Sequence, residues 1–200
     1  MKSSLSKLGL ALALAMGMAS AQAAYIESGD ASNFLASAQL ATDMTIQGTI
    51  GQNDGGDVYK LVFGSAGILT IQATSSQIDT NIGLFDAGFN ALAGDDDSGG
   101  GLNSLLSYAI GAGTYYVGIG NYAMYAFDAS NQGWFLDGLP PATLGPVSYI
   151  DSMIGITPGA YTLSLSLQPV RSNSVPEPAT VGLLGLGLLG MGMLRRKQAA

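Results

Sequence analysis

Apolar and polar residues alternate with a period of two through much of the chain, the pattern of strands with one buried face. Tyr161, Leu163, Leu165 and Leu167 alternate with Thr162, Ser164 and Ser166. Residues 113–120 put Tyr115, Val117 and Ile119 on one face, and residues 58–63 put Tyr59, Leu61 and Phe63 together with Lys60 opposite. Further strands are expected at 68–73, 81–86, 91–94 and 102–110, and residues 30–42 should hold a helical turn or an edge strand. Turn-forming residues separate these runs: Asp54-Gly55-Gly56, Ser65-Ala66-Gly67, Ala87-Gly88, Ser98 to Gly101 and Pro158-Gly159. Short strands without long helical patterns predict an all-β fold, an antiparallel β-sandwich of jelly-roll-like form.

The two ends follow a different pattern. Ala179 to Leu194 is apolar and uncharged over 16 residues, about 24 Å as a helix against a hydrocarbon core of about 30 Å. It is expected to form a single, marginal transmembrane helix, with Arg195, Arg196 and Lys197 behind it as a cytoplasmic stop. At the other end Lys2 and Lys7 precede an apolar run, Leu8–Met18, and the small-residue steps Ala19-Ser20-Ala21 and Ala21-Gln22-Ala23. That is the form of a secretory signal peptide. The expected organisation is a signal peptide at 1–23 and a sandwich at 24–170 with an insertion at 122–157. A linker at 171–178, a membrane helix at 179–194 and a basic tail at 195–200 follow.

Val175-Pro176-Glu177-Pro178, the Gly/Leu-rich span and the Arg195-Arg196-Lys197 stop together resemble the PEP-CTERM sorting signal of Gram-negative bacteria that make exopolysaccharide. The resemblance implies export by the secretion machinery, transient anchoring in the inner membrane and processing near the Pro-Glu-Pro motif by an exosortase-type enzyme. It predicts delivery to the surface and says nothing of activity.

Charge separates the ends from the middle. Five of the seven basic residues lie in the terminal segments, and residues 24–178 keep only Lys60 and Arg171 against all 14 acids, a net charge of −12. Such a surface repels phosphate backbones, which excludes nucleic acid as a partner. The chain has no cysteine and no histidine, so it forgoes disulfides and the commonest general base. Nothing obvious activates a serine, and aspartates in a glycine-rich turn lack the apolar pocket a glycosidase acid needs. An enzyme is not expected.

The order of motifs in the middle also resembles the bacterial pre-peptidase C-terminal domain, a β-sandwich accessory module. The match runs through Glu27, Ala38-Gln39, Gly48-Thr49-Ile50, Asp57-Val58-Tyr59, Asp79 to Asp86, Asp95-Asp96-Asp97 and Gly113 to Tyr116. Family members include binders of calcium, collagen or polysaccharide, and the longer insertion departs from the pattern.

Two clusters carry candidate chemistry. Asp95, Asp96 and Asp97 form the densest charge, with Asp54 and Asp57 expected near the same end of the fold. They make either a solvated acidic turn or a Ca²⁺ site, since Ca²⁺ takes six to eight oxygens. The family resemblance adds Glu27, Asp30 and Asn33 as a second ligand group. The insertion carries Tyr122, Tyr125, Phe127, Trp134, Phe135 and Tyr149, including the only tryptophan. It is too long and too apolar for a plain loop. Tyr122, Tyr125, Trp134 and Phe135 make either a sugar-stacking platform or a satellite core over one end of the sandwich. The expected function is therefore that of an exported structural or adhesive protein of an extracellular matrix or biofilm. The alternative is a carbohydrate-binding module; ice binding ranks below both, because no regular Thr-x-Thr array is present.

Overall fold

The computed structural model describes residues 23–137 and 145–170. Residues 1–22 of the expected signal peptide, the Val175–Pro178 motif, the apolar span 179–194 and the basic Arg195, Arg196 and Lys197 lie outside the described residues. Among the described residues no helix is long and apolar enough to cross a membrane.

Thirteen strands run in chain order: β1 (Tyr25–Ile26), β2 (Gln39–Leu40), β3 (Thr45–Ile50), β4 (Asp57–Phe63), β5 (Gly67–Thr74), β6 (Thr80–Asp86), β7 (Ala91–Asp95), β8 (Leu105–Ile110), β9 (Gly113–Asn121), β10 (Met124–Asp128), β11 (Gly133–Phe135), β12 (Val147–Ser152) and β13 (Gly159–Gln168). Among the described residues a single 3-10 turn, Leu35–Ser37, is present and precedes β2. The first sheet has the order β1-β3-β13-β5-β8 and the second β2-β4-β9-β6-β7. Successive strands cross between the two, so the fold is an all-β sandwich of two sheets. Pairing is antiparallel apart from two short parallel edge pairs, β1 with β3 and β2 with β4. Residues 30–42 thus supply both the expected turn and an edge strand.

The alternation read from the sequence sets the inner face. Tyr59, Leu61, Val117, Ile119, Ile82 and Leu84 of the second sheet meet Ile46, Leu69, Ile71, Tyr161 and Leu163 of the first in one core. The strand expected over 102–110 starts at Leu105, because Leu102 and Asn103 belong to a turn. β3 has no counterpart among the expected strands; Gly48 breaks its alternation, and its place is set by pairing with β13.

The insertion forms a third sheet, β11-β10-β12, which lies on the outer face of the second. Met124, Ala126, Leu136, Val147 and Ile150 pack against Val58, Phe85 and Tyr116 in a separate buried cluster. Glycines make this close approach possible. A Cβ at Gly118 would sit 2.9 Å from Ile150 Cδ1, one at Gly120 2.7 Å from Met124 Sδ, and one at Gly94 2.5 Å from the Leu136 carbonyl oxygen. β9 is therefore buried on both faces over Tyr116–Asn121. Residues 32–34 tie the covering sheet down: the Ile150 N–H donates to the Asn33 carbonyl at 3.0 Å and the Asn33 amide to the Ile150 carbonyl at 2.9 Å.

Candidate functional site

The β-sheet register places two acidic groups at one end of the second sheet. Asp57, Ile119, Ile82 and Asp95 lie side by side across β4, β9, β6 and β7. Three strand spacings separate Asp57 from Asp95, about 14 Å. The expectation that Asp54 and Asp57 lie at the same end as Asp95–Asp97 holds, but at that distance the two sets cannot share one ion.

The group at β4 is Glu27, Asp30 and Asp57, with carboxylate oxygens within 4.8 Å of one another. Asp57 is fully buried on the inner face, where its Oδ2 accepts a hydrogen bond of 2.5 Å from the Tyr161 hydroxyl. Tyr161 in turn lies 2.6 Å from the Tyr59 hydroxyl. Burial pushes the Asp57 carboxyl up to about 9, against the lowering effect of the Tyr161 bond, and the charges of Glu27, Asp54 and Asp30 add to the rise. The two tyrosines are raised as well, chiefly by burial and by the charge of Asp57. Glu27 accepts the Ala31 N–H at 2.6 Å and the Thr49 N–H at 2.8 Å, and Asp54 accepts from Gly51 and Gly56. The Asn33 amide nitrogen donates to the Ile150 carbonyl of the covering sheet at 2.9 Å.

The group at β6 and β7 is Asp79, Asp96 and Asp97, again with oxygens within 4.8 Å. Asp95 is not among them. Consecutive residues of an extended chain point to opposite faces, so Asp95 turns inward and accepts the Ser98 N–H at 3.2 Å and the Leu105 N–H at 2.7 Å. Asp96 turns outward and is 8 % exposed. Burial pushes its carboxyl up to about 6, followed by the charges of Asp97, Asp79, Asp137 and Asp95. Asp79 is raised by burial and then by Asp97. Asp96 is the buried member of the group, and Asp97 is exposed. Both groups have a spread that fits oxygens around one hard cation, since opposite ligands of Ca²⁺ lie about 4.8 Å apart.

The aromatic candidates divide by the pleat of β10 and β11. Trp134 pairs with Ala126 and packs against the buried cluster, so it serves the satellite core. Tyr125 and Phe135 lie on the other face. There they belong to a row of rings with successive centroid distances of 5.5 Å (Phe135–Tyr125), 6.2 Å (Tyr125–Phe127), 4.9 Å (Phe127–Tyr149) and 5.3 Å (Tyr149–Phe34). Phe127 and Tyr149 are stacked at 10°, and Phe34 is 50 % exposed. Tyr122 stands apart, in the turn between β9 and β10. The period-two spacing of Tyr125 and Phe127 was available in the sequence; the arrival of Phe34 from the N-terminal segment was not.

Comparison with known proteins adds the following. Residues 174–197 match the PEP-CTERM protein-sorting motif. That motif implies export, a membrane-anchored C-terminal sorting signal and processing by an exosortase. No curated protein matches the chain. Among solved structures, the pre-peptidase C-terminal domain of collagenase from Bacillus anthracis is similar, at 18% identity over 72% of this chain and 96% of that one, with a TM-score of 0.40. PliG of Aeromonas hydrophila, a periplasmic inhibitor of g-type lysozyme, is similar at 16% identity over 72% and 100%, with a TM-score of 0.35. CorA of Methylomicrobium album BG8, a surface-associated copper-binding protein, is similar at 9% identity over 73% and 98%, with a TM-score of 0.33.

Proposed function

We propose that this is an exported, surface-directed, non-catalytic protein whose jelly-roll-like sandwich acts by adhesion or assembly in the extracellular matrix or biofilm. The match of residues 174–197 to the sorting motif carries this reading. The apolar span holds the chain in the inner membrane until an exosortase-type enzyme cuts near Pro176-Glu177-Pro178 and releases the sandwich to the surface. The absence of histidine and cysteine supports a non-catalytic role. The test follows the chain in its host with the exosortase gene intact or deleted. Loss of the tail mass and appearance at the surface only in the intact strain supports the reading, as does loss of aggregation when this gene is deleted. Normal aggregation in that deletion strain overturns the adhesive role.

A second reading, polysaccharide binding, draws support from the aromatic row. Five rings on one face of the covering sheet offer electron-rich faces to the C–H groups of a sugar ring. The surface is then Phe34, Tyr125, Phe127, Phe135 and Tyr149. Co-sedimentation of the full chain in detergent with insoluble host polysaccharide tests it. Binding by the wild type, lost in Tyr125→Ala/Phe127→Ala, supports it; equal sedimentation of both proteins removes it.

A further inference from the structure

Most buried polar atoms in the described residues have a partner, and the exceptions gather. Buried side-chain atoms without a hydrogen-bond partner are Asp57 Oδ1, Asp79 Oδ1, both polar atoms of the Asn81 amide, Asp96 Oδ1 and Asn121 Nδ2. Three of these residues belong to the start of β6 and the end of β7. Ile82 pairs with Asp95, so continuing that register by one residue brings Asn81 opposite Asp96. Both lie on the outer face: Ile82 and Leu84 point into the inner core, whereas Phe85 belongs to the outer cluster and a Cβ at Gly83 would meet Leu136. Asn81 is completely buried there, with neither its oxygen nor its nitrogen satisfied.

Buried groups of this kind are costly. An unpaired buried amide loses on the order of 1–3 kcal/mol and a charged carboxylate more. Two turn aspartates avoid the cost. Asp86 accepts the N–H groups of Gly88 and Asn90 and the Asn90 amide, and Asp128 accepts those of Ser130 and Gln132. At Asp79, Asn81 and Asp96 no donor serves these atoms. Three carboxylates whose oxygens come within 4.8 Å, two of them with a buried oxygen that has no donor, and an unpaired buried amide one register step beyond the Ile82–Asp95 pair call for a cation.

We propose that Asp79, Asp96 and Asp97, with the Asn81 amide oxygen, bind one Ca²⁺ ion where β6, β7 and the covering sheet meet. An all-oxygen donor set selects a hard cation over zinc or copper. Three carboxylates and an amide leave positions for water on the side of Asp97, which is exposed. Asp137, whose charge already bears on Asp96, directly follows Leu136, the residue seated over Gly83 and Gly94. The ion therefore draws the end of β11 onto the second sheet and holds the covering sheet closed at that corner.

The experiment uses the full chain in detergent, stripped of metal by chelator. Titration calorimetry with CaCl₂ and thermal melts are run on the wild type, Asp96→Asn, Asp97→Asn and Asp57→Asn. The wild type should bind Ca²⁺ and melt higher with it, and Asp97→Asn should weaken that binding by about tenfold or more. Asp96→Asn should lose the site, while its metal-free form melts at or above the metal-free wild type because one repelling charge is gone. Asp57→Asn should keep the site. Because Asp97 is exposed, its variant decides the matter even if Asp96→Asn does not fold. The proposal falls if the wild type gives neither heat nor a melting shift up to about 5 mM Ca²⁺, above the usual range of extracellular modules. It falls equally if Asp97→Asn binds as the wild type does, which would leave the ion with Glu27, Asp30 and Asp57.

Discussion

At one corner of the second sheet Glu27 holds two backbone N–H groups, Asp54 holds two more, and Asp57 holds the Tyr161 hydroxyl on one oxygen while its other stays buried without a donor. At the other corner Asp79 and Asp96 each keep a buried oxygen with no donor, and Asn81 keeps a whole amide. The two groups look alike as acidic clusters with oxygens of similar spread. They differ in what the rest of the chain does for them. The carboxylates at β4 organise the N-terminal segment and the turn before that strand, so a proton on Asp57 is enough to settle that corner. The group at β6 and β7 organises nothing in the protein itself, and an ion is what completes it. Acid count and spacing do not separate the two clusters; the number of oxygens already occupied does, with one orphan at β4 against two carboxylate oxygens and a whole amide at the other corner.

The largest expected effect separates the corners by pH. A carboxyl raised in the folded state holds its proton more tightly folded than unfolded, so stability falls as pH rises from the unfolded value to the folded one. For Asp96 that window runs from 3.8 to about 6, and for Asp57 from 3.8 to about 9. In chelator, the melting temperature of the full chain should drop steadily from pH 5 to pH 8. Asp57→Asn should flatten the part above pH 6, where Asp57, faced by Tyr161, Tyr59, Glu27, Asp54 and Asp30, is the group still losing its proton. Asp96→Asn should lessen the slope below pH 6, where Asp57 alone then acts, and leave the part above it unchanged. Ca²⁺, which binds the ionised form, should recover stability at pH 8 more than at pH 5. A wild-type melting curve that rises across this range would reverse the assignment of both corners.

Next in size is Leu136→Ala. Leu136 is fully buried between the covering sheet and the glycines of the second sheet, so its truncation should cost about 3 kcal/mol in urea unfolding. Because the covering sheet carries Asp137, the stabilisation by Ca²⁺ should shrink along with it. Tyr161→Phe acts on the other corner. It leaves the second Asp57 oxygen and the Tyr59 hydroxyl without a partner, at a cost of about 2 kcal/mol. That loss should be the same with and without Ca²⁺; a loss that vanishes on adding the ion would move the metal to Asp57.

The sandwich was legible where strands bury one face. Tyr59, Leu61 and Phe63, or Tyr161, Leu163 and Leu165, announce the inner core by alternation alone. The second buried layer was hidden for a physical reason. Its floor is paved with Gly83, Gly94, Gly118 and Gly120, which in a sequence suggest turns and not a packed face. The insertion read as an apolar loop because its strands are short and its partners lie on a sheet formed by other parts of the chain. The contiguity of Asp95-Asp96-Asp97 suggested a single unit, yet the pleat sends Asp95 inward and Asp96 outward. Asp79 meets Asp96 because Ile82 pairs with Asp95 across β6 and β7, a relation that spacing along the chain does not display.

The smallest effect tests that division within the Asp triplet. Asp95 fixes the turn after β7 by accepting the Ser98 and Leu105 N–H groups on one oxygen. Asp95→Asn keeps an oxygen for those donors but removes the charge that strengthens the bonds, so the loss should be about 1 kcal/mol. Its neighbours behave oppositely: replacing Asp96 relieves repulsion in the metal-free protein and abolishes the response to Ca²⁺. Urea unfolding in chelator and in Ca²⁺ distinguishes them. Asp95→Asn should lower both curves equally and leave the difference between them intact. If it instead erased that difference, all three aspartates would have to act on one ion, and the pleat at Asp95 would have to differ from the one that directs it to Leu105.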